Sequence, residues 1–122
     1  MAVTHLAATR NGIADYVVDQ LDGGTLIFYA SDGTTEVATL TFGTPAFGAA
    51  SAGVATANAI TSDTSATGGT TTIANLTTSG ASEIVECSVT STGGGGDIEL
   101  SSNVVGAGDT VSISSLTYTA PA

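Results

Sequence analysis

The chain is 122 residues long, enough for one domain and too short for a second with its own core. Arg10 stands as its one Lys or Arg against eleven Asp and Glu, a formal net charge of −10. Such a chain has nothing with which to neutralise a phosphate backbone or an anionic lipid surface, which excludes nucleic acid and membrane as direct partners.

More than half of the residues are Gly, Ala, Ser or Thr. Side chains this small bury little area each, so self-association as a dimer or trimer would supplement a thin core. A mean hydropathy of +0.36 with 10% charged residues argues against disorder. Cys87 stands alone, so neither an intrachain disulfide nor a cysteine-based zinc site can form. Met1 is followed by Ala-Val-Thr-His without the basic and apolar regions of a secretion signal, and no apolar run has bilayer-spanning length. The expected location is the cytoplasm, with exit by lysis.

In chain order, residues 1–8 read as an extended arm and 9–122 as one β-domain. A helix is expected over about 9–22, with Ile13, Val17 and Leu21 on one face, Ala14 and Val18 beside them, and Asp15, Asp19 and Asp22 as a polar stripe. Thr9 or Asn11 would cap its start, and Gly23-Gly24 would end it. Leu26 to Tyr29 reads as a strand, Ser31-Asp32-Gly33-Thr34 as a hairpin turn and Val37 to Phe42 as the partner strand. Further strands are expected at 54–60, 70–77, 83–90, 97–100 and 110–119. A bulge at Ser114-Ser115 would bring Val111, Ile113, Leu116 and Tyr118 to one core. About seven or more short strands with one N-terminal helix give a mainly β fold, a β-sandwich or small jelly-roll-like barrel.

The chemistry-bearing residues form no catalytic pattern, and the expectation is that the chain is not an enzyme. His5, the one histidine, lies in the arm, where no rigid nucleophile–base pair can be built. Cys87 shares a strand face with Val85 and Val89 and reads as a small core hydrophobe; no cation is at hand to make it a thiolate. Glu83 with Glu86, and Asp97 with Glu99, are carboxylate pairs of the glycosidase kind. The chain lacks tryptophan for the aromatic platforms of such a cleft, and Asp97 with Glu99 reads as a solvated strand face. Asp32, Asp63 and Asp109 sit in oxygen-rich loops but outside any Asp-x-Asp-x-Asp-Gly calcium loop, so turn formation explains them. Gly93 to Gly96 lacks the spacing of a phosphate cradle. No cofactor is expected.

The order of segments does carry a resemblance. Thr9-Arg10-Asn11-Gly12-Ile13-Ala14-Asp15-Tyr16-Val17-Val18-Asp19-Gln20-Leu21-Asp22-Gly23-Gly24 leads through a strand and an Asp-Gly turn to Ala38-Thr39-Leu40-Thr41-Phe42 and Pro45-Ala46-Phe47-Gly48-Ala49-Ala50. Gly53 to Ile60 follows, then Gly94-Gly95-Gly96-Asp97-Ile98-Glu99-Leu100, and Val104 to Thr119 closes the series. Over nearly its whole length this resembles the small structural proteins encoded beside the major capsid gene of tailed phages, the capsid decoration or cement proteins. One difference is visible: such proteins often carry an aromatic and a basic residue in the strand corresponding to Thr70–Thr77.

The resemblance implies a virion protein whose partner is the major capsid protein and whose place is the outer capsid surface, after assembly in the host cytoplasm. Packaged DNA fills a capsid interior with phosphate, so a chain of net charge −10 belongs outside. A tail or head–tail connector component is the alternative, and a carbohydrate-binding or adhesin module a second one. Candidate contact residues are the arm, Ala2, Val3, Thr4, His5 and Leu6, together with Ile27 and Tyr29 on an exposed strand face, and the Thr-rich strands as a group. Removal of residues 1–8 is expected to leave a folded domain with weakened capsid binding.

Overall fold

Leu26 and Phe28 lie on one side of a five-residue strand and Thr25, Ile27 and Tyr29 on the other, and this alternation fixes what the rest of the chain covers. The computed structural model describes residues 3–120. Among them are one helix, α1 (Ala7–Asp19), and ten strands: β1 (Thr25–Tyr29), β2 (Glu36–Phe42), β3 (Val54–Thr56), β4 (Ile60–Thr61), β5 (Gly69–Thr70), β6 (Ile73–Thr77), β7 (Glu83–Ser91), β8 (Ile98–Leu100), β9 (Val104–Val105) and β10 (Thr117–Thr119). The fold is mainly β, of the sandwich or barrel kind, with a single N-terminal helix.

The main sheet runs β4-β2-β1-β6-β7-β8. β1 is antiparallel to both neighbours, with Leu26 opposite Leu40 and Leu76, and Phe28 opposite Ala38 and Ala74. Those six residues are buried and form the centre of the core. β8 joins the far edge in parallel with β7. Over the core side lies a second layer made of α1 and the β10–β3 pair, against which α1 packs, and β5–β9 adds a two-stranded ladder. Ala14, Val18 and Leu21 bring the helix to the core, and Phe47 meets Phe42 with ring centroids 5.8 Å apart.

Several elements differ from the sequence expectation, each for a local reason. The helix begins at Ala7 and ends at Asp19, and its buried residues are Ala14 and Val18, with Leu21 buried in the turn that follows, while Ile13 and Val17 are half-buried. Leu6 occupies the N-cap without a side-chain bond; Thr9 and Asn11 lie inside the helix, and Asn11 Oδ1 accepts the Gly53 amide instead. The stretch 54–60 is two short strands, because the Ala57 amide turns to Leu116 and the Asn58 amide to Ala46. Residues 70–77 are interrupted at Thr71, whose buried hydroxyl donates to the carbonyl of Tyr29. The expected strand 110–119 forms a ladder only over Thr117–Thr119, with a single bridge from Val111 to Asp63. Val111 is buried, and Ile113 and Leu116 pack against the core from an irregular segment in place of a bulged strand, with Tyr118 following on β10.

Two glycines are required by their surroundings. A Cβ on Gly24 would stand 2.0 Å from the Thr77 carbonyl oxygen. Gly53 has φ of 78° and lies under the Arg10 guanidinium, whose central carbon would be 2.6 Å from its Cβ. Gly24→Ala is expected to destabilise the protein by about 3 kcal/mol, since β1 and β6 backbone must part. Phe28→Ala, which empties the centre of the core, should cost about 3–5 kcal/mol. Urea midpoints at constant m would measure both.

Candidate binding surfaces

The carboxylates come first, because most of them are committed to backbone amides. Asp15 accepts the Ala50 amide and Asp22 the Ala46 amide, each at 2.8 Å. The expected solvated stripe is therefore in part a clasp, with only Asp19 of the three exposed. Asp32 closes the 31–34 turn by accepting the amides of Thr34 and Thr35 and the Thr35 hydroxyl. Asp63 holds the amides of Ser65 and Thr39, and Asp109 that of Gly106. Asp97 accepts the amide and hydroxyl of Ser88, while Glu99 takes the amides of Gly93 and Gly95. Asp97 and Glu99 thus pin loops, each carboxylate occupied by backbone donors. Among the described residues no cluster of three His, Cys, Asp or Glu is placed to hold a metal.

Cys87 is half-buried on the core side of β7, more open than the core position its neighbours suggested. Burial, with the charges of Asp97 and Glu86 added, raises its thiol from an ordinary 9.0 to about 11. A cleft of about 520 Å³ opens between residues 97–105 and 109–117. Ile98, Leu100, Val105 and Val111 form its apolar wall, and Asp97, Glu99 and Asp109 its margin. Neither His5 nor Cys87 lines it.

The arm and the strand face, the two surfaces singled out in the sequence, lie on different layers. Ala2 falls outside the described residues. Val3, Thr4, His5 and Leu6 are exposed and in no strand, with Val3 87% and Leu6 79% accessible. They lead into α1, on the core side of the main sheet. Ile27 and Tyr29 point away from the core and are half-buried between strands, not fully open.

The register assembles the outward face row by row. Glu36, Tyr29, Ile73 and Ser88 lie side by side across β2, β1, β6 and β7. The next row is Thr39, Ile27, Asn75 and Glu86, and the third is Thr41, Thr25, Thr77 and Glu83. An apolar centre of Ile27, Tyr29 and Ile73 is thereby bordered by carboxylates on both flanks. Tyr29 titrates above its ordinary value, mainly through burial and further through the charges of Glu83 and Glu36. Ile73, Asn75 and Thr77 were missed by sequence reading. The alternation that placed Ile27 and Tyr29 on this face also holds for β6, but the pairing of β6 with β1 is not visible in a linear sequence.

No helix among the described residues is long and apolar enough to cross a membrane. No protein-family profile, curated protein or solved structure matches this chain.

Two outcomes follow from the titrations. Cys87 should be alkylated by iodoacetamide at pH 8 at least about tenfold more slowly in the native protein than in urea, as read by mass spectrometry. Because its folded value is raised, its neutral form favours the fold at neutral pH, and this contribution fades as pH climbs from 9 toward about 11. The Asp32 carboxyl is held down at about 2 by its hydrogen bonds from Thr35 and Thr34. The amide signals of Thr34 and Thr35 should stay native above that pH and move together as pH falls through about 2.

Proposed function

We propose that this chain is a structural virion protein that binds the outer surface of a tailed-phage capsid and stabilises the shell. The observation that supports this reading best is the outward sheet face, with Ile27, Tyr29 and Ile73 at its centre and Glu36, Glu83 and Glu86 at its border. A face of this kind suits contact with a protein surface, where aromatic and aliphatic groups anchor and a polar border confers register. The exposed Val3 and Leu6 give the arm apolar groups that a neighbouring subunit can cover. The ordered resemblance to decoration proteins supplies the partner, the major capsid protein, and the net charge supplies the side of the shell. Binding to an assembled lattice would add the stability that a core of small residues does not provide.

Cryo-electron microscopy of the purified particle tests the reading. Hundreds of copies on the outer shell are expected. A few copies at the tail vertex would replace it with a connector role, and density on the inner wall would refute the charge argument. Since α1 begins at Ala7, the arm ends at residue 6. Deletion of residues 1–6 should leave the circular dichroism spectrum native and weaken co-sedimentation with particles on the order of tenfold.

A further inference from the structure

We propose that the outward face of the main sheet docks a basic protein surface, seating a lysine or arginine side chain against Asn75, Glu83 and Glu86 while Ile27, Tyr29 and Ile73 receive the apolar stems around it. The identity of the partner rests on the virion reading; the chemistry of the face does not.

Asn75 and Thr77 are 7% and 2% accessible, yet Asn75 Oδ1 and Thr77 Oγ1 find no hydrogen-bond partner among the described residues. A buried polar atom left without a partner is costly, and such atoms in native proteins are ordinarily met by something. Both residues lie in the same rows of the outward face as the apolar centre and the β7 carboxylates. Asn75 Nδ2 already donates to Glu83, so what remains on offer around Asn75 is an amide oxygen and the oxygens of Glu83 and Glu86. Glu83 and Glu86 are exposed, and the long side chain of Glu83 can swing off Asn75 by a change of rotamer.

This inventory selects the ligand. Amide and carboxylate oxygens only accept, so the complementary group must carry several donors and a positive charge. An ammonium has three donors and a guanidinium five, and neither accepts. Hydrophobic stems of Lys and Arg also suit an Ile-Tyr-Ile surface, and Tyr29 offers a ring face to the cation. Arg10, the one Lys or Arg, does not supply the cation, since it donates to the Ala120 carbonyl beside Gly53. A second copy is disfavoured as occupant: two such faces brought together would oppose Glu36, Glu83 and Glu86 to their equivalents without a counter-charge.

The test titrates the intact ¹⁵N-labelled protein with a hexalysine peptide, hexaserine serving as control. Saturable shifts are expected for the backbone amides of Ile27, Tyr29 and Ile73 and for the Asn75 side-chain amide. They should weaken on the order of tenfold in the E83Q/E86Q variant and be unaffected in D19N, which removes an exposed helix acid. Shifts confined to α1, shifts spread over every acidic loop, or an unchanged response in E83Q/E86Q would overturn the proposal. Co-sedimentation with phage particles separates this result from the virion reading. If hexalysine seats on the face while the wild-type protein ignores particles, the docking chemistry stands and the virion role falls. If E83Q/E86Q binds particles as tightly as wild type, the virion role stands and this face is not its interface.

Discussion

Asn11, Asp15 and Asp22 each hold one backbone amide of the 46–53 connection, those of Gly53, Ala50 and Ala46. The second layer depends on these three bonds. The connection is built almost wholly of Ala, Gly and Ser, with Phe47 as its one large side chain, so hydrophobic burial alone would hold it weakly. Its amides also need partners wherever water is excluded. By accepting them, the helix and the turn after it fix the connection, and the connection delivers β3 to β10. A bond from a charged acceptor is stronger than a neutral one, which compensates for the small area buried.

The same economy runs through the loops. Asp32, Asp63, Asp97, Glu99 and Asp109 each receive at least one backbone amide, so the acidity of the chain is largely structural in loop regions. Glu83 and Glu86 differ: they lie on a strand, in rows with Ile27, Asn75 and Thr77, and receive no amide of their own backbone surroundings in the bonds described above. Charge committed to backbone amides organises the fold, whereas Glu83 and Glu86 stand exposed on β7.

Much of the fold was legible because it rests on short-range patterns. The alternation at Leu26 to Tyr29 and the Asp-Gly turn each carry their signal within a few residues, and each appears in the structure, whereas the helix stops at Asp19, before the glycine pair expected to end it. The helix was legible in kind and displaced in detail: Ala14 and Val18 are buried, where size favoured Ile13 and Val17. That shift is set by what the helix faces, the close-packed β3–β10 pair, and by the side chains that must reach the connection. The C-terminal stretch reads as one long strand by composition, but its backbone groups pair with distant partners, the Val111 amide donating to the Asp63 carbonyl and the Leu116 carbonyl accepting the Ala57 amide, which no local pattern encodes. On the outward face, half was visible. Ile27 and Tyr29 could be placed by parity, while Ile73, Asn75 and Thr77 join them only through the β1–β6 register.

The single Arg10 has a consequence for the molecule's polarity in space. Its guanidinium donates to the Ala120 carbonyl at 3.1 Å, and the Ala120 amide donates to Gly53, so the first helix and the last described strand are stitched together. The two described ends of the chain therefore emerge from the same layer, the one behind the main sheet. A passenger fused after residue 120 would stand at the back of the molecule, with the face bearing Ile27 and Tyr29 left free at the front. The described ends and the outward face of the main sheet thus lie on opposite sides of the fold.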